Sequence, residues 1–290
     1  MNSKNMGKSL KATLDRWVKN IDDAAVAKIV QQNAIVTGGA LVSLLNGEPP
    51  NDYDVYFKTQ ESCAAVARYY AGWWNKEHPD KNHVEIRVGE NGQVAAFIRS
   101  AGVVAEDNES GIDDATEPSQ PEKADGDVED KKKYRPRYIS TNAITLSDRI
   151  QIVLRFYGSV EEIHQNYDFI HCTCSYDYAE NKVNLPARAL EAIINKELYY
   201  VGSKYPLCSI IRSRKFITRG WTINAGQYLK MCLQLNDLNL HDIETLKDQL
   251  TGVDSAYFSA AIGWMEERKK ENPDFVPDNS YLFEIINRIF

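Results

Sequence analysis

The sequence predicts an α+β fold, a mixed sheet with flanking helices, followed by an all-helical C-terminal domain. Three observations predict it. Ala34–Thr37 and Tyr53–Phe57 are short strand-like runs joined by a Gly-Gly turn and a helix-length apolar stretch. Val84–Val88 and Val94–Arg99 flank Gly89-Glu90-Asn91-Gly92, a hairpin signal. From Pro186 to the end, the apolar spacing is that of helices.

The elements follow in order. Leu10 to Gln31 has helical spacing, with Leu14, Trp17, Val18, Ile21 and Ala25 on one side. Ala34–Thr37 reads as a buried strand ended by Gly38-Gly39, Leu41 to Leu45 starts a helix, and Tyr53–Phe57 is the second strand. Thr59 to Lys76 is a helix carrying the Tyr69-Tyr70-Trp73-Trp74 cluster, most simply core aromatics. Tyr138–Leu146 and Arg149–Phe156 pair across a Ser147-Asp148 turn. Ser159-Val160-Glu161-Glu162 starts a short helix with a near-capping box, and Asp168 to Tyr176 is a further strand. Helices are then expected over 187–199, 206–218, 225–235, 241–249, 256–270 and 280–289. The domains are expected at 1–185 and 186–290.

Composition narrows the function classes. The chain has 290 residues, 43% hydrophobic and 26% charged, which is ordinary for a globular protein. No apolar run reaches the roughly 18 residues that span a bilayer, so no membrane partner is expected. The N-terminus lacks the pattern of a secretory signal. Five cysteines, an odd number in so long a chain, make no disulfide framework, and a cytoplasmic setting is expected. Net charge is −7, yet residues 101–130 hold eleven acids and one base, followed at once by Lys131, Lys132, Lys133, Arg135 and Arg137. The acidic balance therefore belongs to one segment, about 105–135. Rich in Asp, Glu, Pro, Gly and Ser, that segment is expected to be a disordered insertion within the first domain.

The chemistry is concentrated in Thr37-Gly38-Gly39-Ala40-Leu41-Val42-Ser43-Leu44-Leu45-Asn46-Gly47-Glu48-Pro49-Pro50-Asn51-Asp52-Tyr53-Asp54-Val55. In an extended strand, residues two apart share a face, so Asp52 and Asp54 are expected to project together. Two such carboxylates repel unless a cation lies between them, and hard Mg2+ (or Mn2+) with phosphate oxygens as co-ligands suits that cage. Gly38 and Gly39 admit close backbone approach, the helix that follows offers free N–H groups to a triphosphate, and Ser43 adds a hydroxyl. Together these parts point to metal-assisted attack on the α-phosphate of an NTP.

On these residues the sequence resembles the DNA polymerase β-like nucleotidyltransferase superfamily, and within it the tRNA CCA-adding enzyme and bacterial poly(A) polymerase head domain. The pattern GGxVRDxLLGxxPxDxDh is met at Gly38-Gly39, Leu45, Gly47, Pro50, Asp52 and Asp54 without a gap. The resemblance extends through Arg155-Phe156-Tyr157-Gly158-Ser159-Val160-Glu161-Glu162 to Tyr167-Asp168-Phe169 and Tyr176, and through Arg212 to Trp221, similar to the family's helical neck. It covers roughly 33–57 and 138–223. It implies a nucleotidyltransferase-type sheet, transfer of a nucleoside monophosphate from an NTP, and an acceptor that is an RNA 3′ end or tRNA, with a protein or small molecule as other acceptors.

The sequence departs from the family at specific points. Val42 and Ser43 stand where the family has Arg and Asp. Asn166, Tyr167 and Cys172 replace the Arg-Arg and Asn of the later motif. Gln151 falls where the family places its third carboxylate, and an amide binds Mg2+ more weakly and takes up no proton. Asp168, or Glu85 on the hairpin, is the expected substitute, so Asp168 joins Asp52 and Asp54 as a catalytic candidate. These departures also support a second reading: a nucleotidyltransferase fold kept as a nucleotide or nucleic-acid binder or structural component, without turnover. A viral or mobile-element origin fits such drift.

Arg212, Lys215 and Arg219 fall on one helical stripe, with Trp221 beyond. They read either as a grip for phosphates and a stacked base or as a solvated face with Trp221 in the core. Arg149 and Arg155, on the strand with Gln151, are further phosphate candidates. His171, Cys172 and Cys174 have no second Cys/His cluster nearby and read as core residues rather than a zinc site.

Overall fold

The computed structural model describes residues 3–80, 83–89, 92–99, 133–250 and 256–289. The acidic segment expected over about 105–135 lies outside the described residues as far as 132. The α+β architecture is the expected one: a mixed seven-stranded sheet with flanking helices, then helices alone.

The first helical stretch is two helices, α1 (Ser3–Val18) and α2 (Ala24–Asn33), where the apolar spacing predicted one. Asp23 makes the break. Its carboxylate caps α2, accepting from the amides of Ala25 at 2.8 Å and Val26 at 3.2 Å. Helix α1 buries Met6, Leu10, Leu14 and Trp17, whose indole N–H donates to the Tyr70 hydroxyl at 2.7 Å.

Strand β1 (Ala34–Thr37), α3 (Gly39–Asn46), β2 (Tyr53–Phe57) and α4 (Gln60–Glu77) follow as the sequence predicts. The hairpin β3 (His83–Val88) and β4 (Val94–Arg99) forms a separate two-stranded sheet against α4. Where one long strand was expected over 138–146, the chain folds as two, β5 (Pro136–Ile139) and β6 (Ala143–Leu146), tied at the turn by Ser140 N–H to the Ala143 carbonyl. Beyond a tight turn, β7 (Ile150–Val153) pairs with β6, and α5 (Val160–His164) starts with a complete capping box between Ser159 and Glu162. The strand expected over 168–176 is instead a bend at Asp168, a 3₁₀ turn over Ile170–Thr173 and the short β8 (Ser175–Asp177). The Thr173 hydroxyl closes that turn, donating to the Ile170 carbonyl at 2.7 Å. Strand β9 (Lys182–Asn184) and α6 (Ala187–Asn195) complete this part.

Strand order is β5-β6-β7-β2-β1-β8-β9. Only β2 and β7 run parallel; the other pairs are antiparallel. Alternation along the strands places Val36, Val55, Ile152 and Tyr176 on one face, all fully buried. Ile35, Asp54, Tyr56, Gln151 and Val153 share the other face. Helix α5 covers part of that second face, with Ile163 packed on Ile35 and Tyr56.

The chain divides into two compact units, the first ending at Asn195 and the second running from Lys196 to Phe290. The division falls after α6 rather than at 185/186, because α6 packs on the Ile170–Thr173 turn. The second unit contains α7 (Pro206–Ile217), α8 (Ala225–Asn236), α9 (Ile243–Leu250), α10 (Ala256–Glu271) and α11 (Asn279–Ile289), each close to its expected span. Ile243, Leu246, Met265 and Ile285 form its core. No helix among the described residues is long and apolar enough to cross a membrane.

Candidate functional site

Strand β1 ends at Thr37, and the chain turns through Gly38, whose φ of +90° and ψ of −142° suit glycine alone. Helix α3 begins at once, and no side chain caps its N-terminus. A β-carbon on Gly39 would meet nothing within 4 Å, so the approach to the first turn of α3 is open there. Ser43 is the fifth residue of that helix and half-buried, one turn away from the N-terminus.

Strand β2 returns antiparallel to β1, with Val36 opposite Val55, and so carries its acidic residues back to the glycine turn. Asp54 is half-buried, and its Oδ2 lies 3.6 Å from the point where a Gly38 β-carbon would stand. Asp52 is exposed and immediately precedes β2 rather than lying within it. Both are hard oxygen donors of the type that Mg2+ and Mn2+ take.

Gln151 pairs in register with Asp54 across the parallel β2–β7 ladder, so the two side chains lie side by side on one face. The position at which the resemblance led us to expect a third carboxylate therefore holds an amide beside Asp54. Neither expected substitute completes an acidic trio: among the described residues no three His, Cys, Asp or Glu side chains gather to hold a metal ion. Glu85 belongs to the separate β3–β4 sheet and pairs with Arg87 at 3.0 Å. Asp168 is buried in the bend before the 3₁₀ turn, because the strand that was to present it does not form.

Residues that the sequence did not assign to the site fill the flank of the turn. The Tyr167 hydroxyl lies 3.5 Å from the Gly38 β-carbon position, near Asp54 and the side chains of Tyr56 and Thr37. Burial pushes this phenol well above the ordinary tyrosine range, and Tyr56 and the Asp54 charge push the same way, so it stays protonated. The Thr37 hydroxyl donates to the Cys174 carbonyl at 2.8 Å and lies 2.7 Å from His164 Nε2. With the hydroxyl proton committed to Cys174, the His164 contact calls for an Nε2–H tautomer. Burial lowers the His164 pKa to about 4, so the ring is neutral at pH 7. The one signal for this cluster in the sequence was that Tyr167 stands where the family has an arginine.

The basic candidates divide. Arg149 donates to the Pro50 carbonyl at 3.1 Å and so ties down the loop that leads to Asp52. Arg155 follows β7, its guanidinium 5.7 Å from the Phe156 ring centre. Arg212 and Lys215 stand on α7 in the second unit, and Arg219 falls beyond the helix in the turn that Gly220 closes. Trp221 is buried against Phe216, ring centres 6.0 Å apart, so the core reading of that indole holds and the stacking one does not. His171 and Cys174 are buried and Cys172 half-buried.

A family model described as Gabija anti-defense 2 family protein matches residues 8–196. The chain belongs to that family. The matched stretch holds the glycine turn, both aspartates, Gln151 and Tyr167 of this Gabija anti-defense 2 family member. "Gabija anti-defense 2" of Bacillus phage SPbetaL7 is 20% identical over 281 residues, covering 93% of this chain and 56% of that protein. The chain thus spans little more than half the length of that relative. Solved structures similar to it include the Bacillus stearothermophilus CCA-adding enzyme in complex with CTP, at 12% identity and a TM-score of 0.38, covering 86% of this chain and 51% of that one. The Thermotoga maritima CCA-adding enzyme complexed with tRNA is 10% identical with a TM-score of 0.40, covering 92% and 57%.

Proposed function

We propose that the first unit is a nucleotidyltransferase-type site that binds an NTP with Mg2+ or Mn2+ and moves its nucleoside monophosphate to an acceptor, an RNA 3′ end before other acceptors. The observation that carries this reading is the placing of the Asp54 carboxylate against the Gly38 turn, at the open N-terminus of α3. The donor set fits the cation: two carboxylates, one exposed and one half-buried, with an open approach for phosphate at Gly39.

In this reading Asp52 and Asp54 hold the metal, and the amides of Gly39 and its neighbours hold the phosphates, with Ser43 a hydroxyl one turn along. The metal, when bound, supplies charge stabilisation at the α-phosphate. The acceptor oxygen bonds to the α-phosphorus, the bond to the β-phosphate oxygen breaks and pyrophosphate leaves; the hydroxyl proton passes to solvent, since Gln151 takes up none. Asp168, buried away from an acidic trio, is assigned to the support of the Tyr167 bend. Arg155, Arg212, Lys215 and Arg219 are proposed contacts for phosphate or acceptor. The setting is cytoplasmic, and by family the activity serves a phage against a host defence.

Incubation with α-labelled NTPs, Mn2+ and mixed RNA tests it: label moves to RNA with the native chain and not with Asp52→Asn/Asp54→Asn. Equal labelling by the double variant refutes it. The register of Gln151 with Asp54 favours a second reading, nucleotide binding without turnover; it predicts nucleotide bound and no label moved.

A further inference from the structure

The side chains around Asp54 are neutral on both flanks. Gln151 stands beside it on β7. On β1, the antiparallel register that pairs Val36 with Val55 brings Thr37 alongside, its hydroxyl already committed to Cys174 and His164. Above the turn lies the Tyr167 hydroxyl, 3.5 Å from the Gly38 β-carbon position. Beyond Gln151, the next in-register neighbour is Thr145 on β6, also neutral. Among the neighbours the strands supply, the carboxylates at this turn are therefore those of Asp52 and Asp54.

Charge decides how many divalent ions such a place holds. Two ions about 4 Å apart, as in two-metal phosphoryl-transfer sites, repel strongly and need bridging and flanking carboxylates to stay together. Two carboxylates and a triphosphate neutralise one ion with charge to spare. A second ion on the Gln151 side would have an amide oxygen in place of a carboxylate, a weaker donor with no charge to offset the ion's own. Among the described residues no third acid gathers with Asp52 and Asp54 to hold a metal ion; Glu85 belongs to another sheet and Asp168 to a buried bend.

We propose that this site takes one divalent cation together with the triphosphate, and that Gln151, paired in register with Asp54, is the residue that excludes a second. The inference rests on the metal–nucleotide reading above. It makes Gln151 a selector of metal number: the site is built to hold a nucleotide with its own cation, and an acceptor hydroxyl finds no metal ion to lower its pKa. Gln151→Asp places a carboxylate beside Asp54 and opens the second position.

Electron paramagnetic resonance titration of the full chain with Mn2+ and α,β-imido-ATP or -CTP, with free nucleotide controls, counts the ions. One protein-dependent Mn2+ per chain with nucleotide supports the inference, and in Gln151→Asp a second signal, broadened by coupling between neighbouring ions, supports it further. Two coupled Mn2+ in the native chain overturn it while leaving the metal–nucleotide site standing. No protein-dependent Mn2+ removes the site itself, and the inference with it. The native count decides the matter even where Gln151→Asp fails to fold.

Discussion

Replacing Gly38 and Gly39 in turn separates the fold of the turn from its use. Gly38 has φ +90° and ψ −142°, close to a region populated almost only by glycine. An alanine there would place its β-carbon 3.5 Å from the Tyr167 hydroxyl and 3.6 Å from Asp54 Oδ2, ordinary contact distances, so the cost is in the backbone. Such strain is worth about 1–3 kcal/mol. In a unit of this size each kcal/mol lowers Tm by about 2–4 °C, so Gly38→Ala should fall by about 2–12 °C. Gly39 is helical, and its β-carbon would enter open space, so Gly39→Ala should be neutral or up to about 1 kcal/mol stabilising. That same methyl would stand in front of the amides expected to meet phosphate, and Mg–NTP affinity should fall about tenfold, or ~1.4 kcal/mol. Differential scanning calorimetry reads the first effect and nucleotide titration the second. A Gly38→Ala variant as stable as the native chain would refute the backbone argument. Full nucleotide affinity in Gly39→Ala would refute the close approach.

Buried His171 should make the first unit acid-sensitive: burial lowers its pKa to about 3 from an ordinary 6.5, so the unfolded chain binds the extra proton first. Stability is full above pH 6.5 and declines as pH falls from 6.5 towards 3, by about 2–3 kcal/mol at pH 4.5 from this residue. Urea unfolding at pH 7 and 4.5 should show a smaller acid loss in His171→Gln; equal losses would contradict the assignment. Arg149→Met frees the Pro50 loop: losing a charged hydrogen bond of up to about 1.5–3 kcal/mol should lower Tm by no more than about 3–12 °C, while Mn2+ affinity drops about threefold to tenfold. Unchanged affinity would detach that loop from Asp52. Trp221→Ala should destabilise the second unit by about 3–5 kcal/mol in chemical denaturation, and an unchanged midpoint would take the indole out of the core.

The sequence was informative where structure is local. The unit from β1 through the glycine turn, α3 and the Pro-Pro loop to β2 was legible because strand alternation, turn chemistry and helix periodicity act over a few residues. The helices of the second unit were legible for the same reason, most clearly α9 and α11, whose apolar residues recur on one side. The break between α1 and α2 was missed because Asp23 caps inside a stretch whose apolar spacing continues past it. The 3₁₀ turn over Ile170–Thr173 was missed because its residues alternate as a strand would, while the hydroxyl of Thr173 and the distant Thr37 fix another path.

At the site, Gln151 was recognisable from a motif, and the ladder to β7 sets it beside Asp54. Tyr167 was not recognisable as part of the turn. Its contact with Gly38 bridges residues far apart in the chain and depends on how α5 packs against Ile35 and Tyr56. The link from Arg149 to Pro50 is hidden in the same way: two residues of unremarkable type meet only because β2 and β7 run side by side.

The central claim is that Asp52 and Asp54 jointly hold a metal-bound nucleotide at the Gly38–Gly39 turn. Calorimetric titration of Mg–NTP into the native chain and into Asp52→Asn/Asp54→Asn tests it most directly. Saturable binding in the native chain, weakened at least tenfold in the variant, is the predicted result. Equal affinity in the two proteins would contradict it.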